Sequence, residues 1–94
     1  MEKTVKKGDL VESKAGRDKG EIFLVIDVKK EFVFLVNGKV RKVLNPKKKN
    51  IKHIKLVSAE SLNGLAERIQ SGQPVGNERV KKEIKSAIQK IQED

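Results

Sequence analysis

Residues 22–38 read Ile22-Phe23-Leu24-Val25-Ile26-Asp27-Val28-Lys29-Lys30-Glu31-Phe32-Val33-Phe34-Leu35-Val36-Asn37-Gly38. Two runs rich in β-branched and aromatic residues flank a short charged connection, the pattern of two paired strands. Successive side chains of a strand point to opposite faces. Here Ile22, Leu24 and Ile26 alternate with Phe23 and Val25, and Phe32, Phe34 and Val36 with Val33 and Leu35. Both faces are apolar, so both need cover. Asn37-Gly38 is then a strong two-residue hairpin signal, because a type I′ turn needs φ > 0 at both central positions.

Working outward, Gly8-Asp9 opens an earlier strand, Leu10-Val11-Glu12-Ser13. Residues 15–20, Ala15-Gly16-Arg17-Asp18-Lys19-Gly20, form a turn-rich loop. After Asn37-Gly38, residues 39–44 are expected to return as a fourth strand. Asn45-Pro46 breaks it, Lys47-Lys48-Lys49-Asn50 reads as a basic loop with no apolar role, and residues 51–57 read as a fifth strand. Five short strands joined by tight turns predict a small SH3-like barrel over residues 1–57, in preference to an OB-fold with its longer loops.

The pattern changes in residues 58–94. Leu62, Leu65, Ala66 and Ile69 fall on one helical face, with Ser58 or Ser61 as N-cap and Gly72 as terminator. Gln73-Pro74-Val75-Gly76 is a turn, and Asn77 is a good N-cap for a second helix striped by Val80, Ile84, Ala87, Ile88 and Ile91. The expected class is therefore α+β: a five-stranded SH3-like barrel and a helical hairpin in one folding unit. The hairpin is the only candidate in the chain to cover the outer face of the barrel; the alternative is a partner protein or a dimer interface. Its removal is expected to expose Phe23, Val25, Val33 and Leu35.

The chain has 94 residues and a formal net charge of +9. All of that excess lies in residues 1–57, while residues 58–94 are neutral. Between Glu31 and Glu60 there is no acid, yet the window holds Lys39, Arg41, Lys42, Lys47, Lys48, Lys49, Lys52 and Lys55. Such a stretch neutralises phosphates and points to a polyanion. Gly16 and Gly20 serve turn geometry, close approach to a phosphate, or both, with Lys14, Arg17 and Lys19 beside them. His53, between Lys52 and Ile54, reads either as a contact to base, ribose or phosphate or as a strand residue bonded to a neighbour. The candidate RNA-binding set is Lys14, Gly16, Arg17, Lys19, Gly20, Lys39, Arg41, Lys42, Lys47, Lys48, Lys49, Lys52, His53 and Lys55, with DNA left open because charge alone does not separate the two acids.

Other classes are disfavoured. The chain has no cysteine and one histidine, which excludes disulfide frameworks and zinc ribbons and argues against a histidine metal site. No paired acids, Ser/His/Asp set or P-loop is present, so no catalytic residue, cofactor or metal is expected. Asp9, Asp18 and Asp27 read as turn residues and local ion-pair partners. The longest apolar run, residues 22–26, is far short of a membrane span. Residues 1–7 lack the apolar stretch of a signal peptide. A cytoplasmic monomer without membrane contact is the expectation.

The segment Gly8-Asp9-Leu10-Val11, Ala15-Gly16-Arg17-Asp18-Lys19-Gly20-Glu21 and Val25-Ile26-Asp27-Val28 resembles a KOW motif, with Gly20 at the hallmark glycine. Val36-Asn37-Gly38-Lys39-Val40-Arg41-Lys42 and Asn45-Pro46-Lys47-Lys48-Lys49-Asn50-Ile51-Lys52-His53-Ile54 extend the likeness. They are similar to archaeal and eukaryotic large-subunit ribosomal proteins numbered fourteen and twenty-seven, and to small KOW proteins of Gram-positive bacteria. The resemblance covers residues 8–57. It implies an SH3-like barrel that contacts RNA through its first loop and basic edge, with structured rRNA and the large ribosomal subunit as partners. The neutral tail departs from the basic extensions of many ribosomal proteins, which favours a ribosome-associated or assembly factor. The rival is a protein-interaction adaptor or transcription-related KOW module. Without Trp or Tyr the chain cannot build the usual aromatic groove for proline-rich peptides.

Overall fold

The computed structural model describes residues 5–59 and 62–92. Strands β1 (Leu10–Ser13), β2 (Ile22–Lys29), β3 (Phe32–Val36), β4 (Lys47–Asn50) and β5 (Ile54–Ser58) are followed by helices α1 (Asn63–Gln70) and α2 (Asn77–Gln92). The sheet order is β4-β3-β2-β1-β5, with every neighbouring pair antiparallel. This is the expected α+β class, a five-stranded SH3-like sheet with two helices packed on it.

The sheet has two apolar faces. Val11, Phe23, Val25, Val33, Leu35 and Ile54 form one buried cluster together with Val5. It joins β3 to β5, strands far apart in sheet order, so it lies inside the curl. Leu10, Leu24, Ile26 and Val36 form the other cluster with Leu65, Ala66, Ile69, Val80 and Ile84 of the helices. The helices do cover the outer face, but that face is the opposite one from the face expected. Phe23, Val25, Val33 and Leu35 point inward, and removing the helices would bare Leu10, Leu24, Ile26 and Val36. Period-two alternation separates two faces without saying which is concave. A bulge after Val25 sharpens the division. Val25 pairs with Leu35 but Asp27, not Ile26, pairs with Phe34. The extra residue keeps Asp27 off the interior and returns Val28 to it.

The fourth strand lies elsewhere than expected. Residues 39–44 form an irregular loop because Asn37 consumes their backbone groups. Its Oδ1 accepts the N–H groups of Lys39 (3.1 Å) and Arg41 (3.0 Å). The Asn37 and Gly38 N–H groups both donate to the Arg41 carbonyl. This local closure replaces the two-residue hairpin and leaves no ladder. Lys47–Asn50, expected as a loop, is the strand that pairs with β3. The expected fifth strand begins with one 3-10 turn, Ile51–His53, capped by Asn50 Oδ1, and becomes β5 only at Ile54.

The helix starts differ from expectation, while α1 ends at Gly72 as expected. Ser58 closes β5 and Ser61 lies outside the described residues. Leu62 precedes α1, without a side-chain cap. Gly72 ends α1 with φ +84°, its N–H on the Ile69 carbonyl and that of Gln73 on the Arg68 carbonyl, a Schellman closure. Asn77 Oδ1, expected to cap α2, instead accepts the Val43 N–H at 2.8 Å. Gly38 fits beneath this junction: its φ is +76°, and a Cβ there would lie 2.3 Å from the Asn77 carbonyl oxygen. The α2 stripe is buried at Val80 and Ile84 and fades to 41% exposure at Ile91. No described helix is long and apolar enough to cross a membrane.

Candidate nucleic-acid interface

The first loop, residues 14–20, leaves β1 and returns to β2. It is closed by the Ser13 N–H on the Glu21 carbonyl (3.0 Å) and the Gly20 N–H on the Ser13 carbonyl (2.9 Å). Gly16 and Gly20 both take positive φ, which accounts for turn geometry at each. Lys14, Arg17 and Lys19 are exposed. The Lys14 N–H donates to the His53 carbonyl at 2.8 Å, so the loop also touches the 3-10 turn carrying exposed Lys52 and half-buried His53.

Asp18 is the exception in this exposed loop, buried at 5% exposure. Its Oδ1 accepts from Ser13 Oγ (2.6 Å) and Lys49 Nζ (2.9 Å), and Lys47 Nζ lies 2.7 Å from Oδ2. Lys49 Nζ also donates to the Ala15 carbonyl at 2.8 Å. Burial alone would raise the Asp18 carboxyl. The bonds from Lys47, Ser13 and Lys49, with the charge of Lys49, outweigh it and hold the group far below the usual carboxylate range. Asp18 does form ion pairs, as expected, but with lysines distant in sequence rather than with local partners.

Period two explains why these two lysines meet one acid. Lys47 and Lys49 stand opposite Leu35 and Val33, whose side chains face the interior. Lys48 stands opposite Phe34 and is exposed, its Nζ 4.4 Å from the centroid of the Phe32 ring. The run of three lysines is therefore split between two faces. Two of them share a single carboxylate, and Lys49 is 9% exposed. The expectation that all three lie in a loop on which the fold does not depend is corrected here. Lys49 belongs to the fold, whereas Lys48 remains free to face a ligand.

The other expected contacts lie in two further places. Lys39, Arg41 and Lys42 occupy the loop between β3 and β4, where Lys39 Nζ is 3.6 Å from Glu21. Lys55 is exposed on β5 and pairs in register with Glu12. The structure thus brings together the first loop, β4 and the 3-10 turn. It leaves the loop after β3 as a second basic segment, while Lys55 follows the 3-10 turn on β5 opposite Glu12. Sequence reading missed Ser13, whose hydroxyl fixes Asp18. The available signal was the Lys-x-Lys spacing, which puts two cations on one side of any strand.

No protein-family description and no curated protein matches the chain. Among solved structures, a chain in the crystal structure of an MjSpt4:Spt5 complex, conformation B, is similar to it. The two are 37% identical with a TM-score of 0.54, over 62% of this chain and 40% of that one. This chain thus matches less than half the length of its neighbour. The likeness supports a KOW-type, SH3-like fold and does not bear on the resemblance to ribosomal proteins.

Proposed function

We propose that the chain is a non-enzymatic RNA-binding module that recognises structured RNA, with rRNA the favoured target, as a ribosome-associated or ribosome-assembly factor in the cytoplasm. The observation that carries this reading is the set of exposed cations Lys14, Arg17 and Lys19 on a loop locked by Asp18, joined through the Lys14 N–H to the 3-10 turn that carries exposed Lys52. Their cations are held on a fixed frame, which suits phosphates of a folded RNA better than a random coil would. Crosslinking in cells, sequencing of the bound RNA and a sucrose-gradient profile test the reading. Ribosomal RNA and large-subunit sedimentation are expected. Absence of bound RNA contradicts it.

One observation favours a second reading, a protein-interaction or transcription-related KOW module. The similar solved chain comes from a complex of two proteins. Capture of a protein partner that survives nuclease treatment supports this alternative.

A further inference from the structure

The loop between β3 and β4 is pinned along its length yet presents apolar side chains to water. Asn37 Oδ1 holds Lys39 and Arg41, Asn77 Oδ1 holds Val43, and the Asn45 N–H closes on the Lys42 carbonyl at 2.9 Å. Val43 packs against the helix-side core. Two positions in the same loop do the reverse: Leu44 is 96% exposed and Val40 52%. Lys39, Arg41 and Lys42 surround them, within a window free of acids. Fixed backbone, projecting aliphatic side chains and the positive charges of Arg41 and Lys42 coincide in one short segment.

We propose that Leu44, with Val40 in the same loop, is an apolar wedge that packs against an unpaired RNA base while Arg41 and Lys42 hold the adjoining phosphates. The proposal rests on the RNA-binding reading and adds what the loop selects. Binding to phosphates alone needs no leucine. A splayed base offers an apolar face next to a phosphate, whereas bases inside a duplex are stacked out of reach. An acidic membrane also joins apolar and anionic surface, but two aliphatic side chains provide little anchoring area for it. The pinned backbone lowers the ordering cost of insertion.

The test uses the full chain and two RNA probes, a plain duplex and the same duplex carrying an internal loop of unpaired bases. Affinities are measured by fluorescence anisotropy across a potassium chloride series. Wild type is expected to prefer the internal-loop probe. Leu44→Ser should lose roughly tenfold on that probe, little on the duplex, and keep the salt slope. Lys42→Ala should instead lower the slope by about 0.7–0.9 on both probes. Because Leu44 is exposed, urea denaturation should show unchanged stability for its variant. Equal affinity of Leu44→Ser and wild type on the internal-loop probe overturns the wedge, as does an equal loss on both probes. Leu44-dependent binding to phosphatidylserine vesicles in place of RNA also overturns it. If wild type binds neither probe, the RNA-binding reading falls with it; if wild type binds without Leu44 dependence, only the wedge falls.

Discussion

Two basic segments that look alike in sequence do opposite things in the fold. Residues 39–42 and residues 47–49 belong to the same acid-free window, and each carries three cations. In the first, side-chain and backbone bonds from Asn37 and Asn77 fix the main chain and leave Lys39 and Lys42 exposed, with only Lys39 near an acid, Glu21. In the second, strand geometry sends Lys47 and Lys49 to the buried carboxylate of Asp18 and only Lys48 outward. Counting positive charges along a chain therefore overstates what a ligand meets. The relevant count is per face, after internal ion pairs are subtracted.

The largest expected effect breaks the second segment. Asp18→Ala leaves Lys49 buried beside no acid, while the more exposed Lys47 can turn to water. The loss of stability in urea denaturation should be about 3 kcal/mol or more. A loss under 1 kcal/mol would mean that the lysines do not depend on Asp18. Next comes a change to the first segment. Gly38→Ala combines positive φ with a clash against the Asn77 carbonyl and should cost roughly 2–4 kcal/mol. Gly20→Ala has the same backbone constraint but open space around the new Cβ. It should cost only about 1 kcal/mol, so equal losses would show that α2 does not fix the loop.

A smaller, graded effect is expected with acid. The folded-state Asp18 carboxyl lies below its unfolded value, so its contribution is complete above the ordinary carboxylate range, about pH 4. It declines as pH falls through and below that range, because the unfolded chain takes up the proton first. The stability gap between wild type and Asp18→Asn should therefore narrow from about pH 5 towards about pH 2. A constant gap across that range would contradict the ion-pair basis of the clamp.

Much of this architecture is legible in the sequence, and the illegible parts share a cause. β1, β2 and β3 announce themselves through apolar runs, and α1 and α2 through their 3.6-residue stripes. β4 does not, because Lys-Lys-Lys-Asn has no apolar residue; its strand character comes from pairing with β3. Residues 39–44 mislead in the other direction, since the Asn37 amide withdraws their N–H groups from any ladder. The choice of inner face on β2 and β3 also depends on tertiary curvature. At the candidate site, the exposed cations of the first loop were legible, as was an ion-pair role for Asp18. Its lysine partners were not, because they lie about thirty residues away on a strand that could not be recognised.

The division between charges that face a ligand and charges spent on the fold is most directly tested by the salt dependence of RNA binding. Arg41→Ala/Lys42→Ala and Lys49→Met are compared with wild type on one structured rRNA fragment, under conditions where circular dichroism shows all three folded. The double variant should lower the slope of log affinity against log salt by about 1.4–1.8, at 0.7–0.9 for each phosphate contact. Lys49→Met should leave the slope unchanged, since Asp18 retains Lys47 and Ser13 as partners. An unchanged slope for the double variant, or a drop of about 0.7–0.9 for Lys49→Met, would contradict that division.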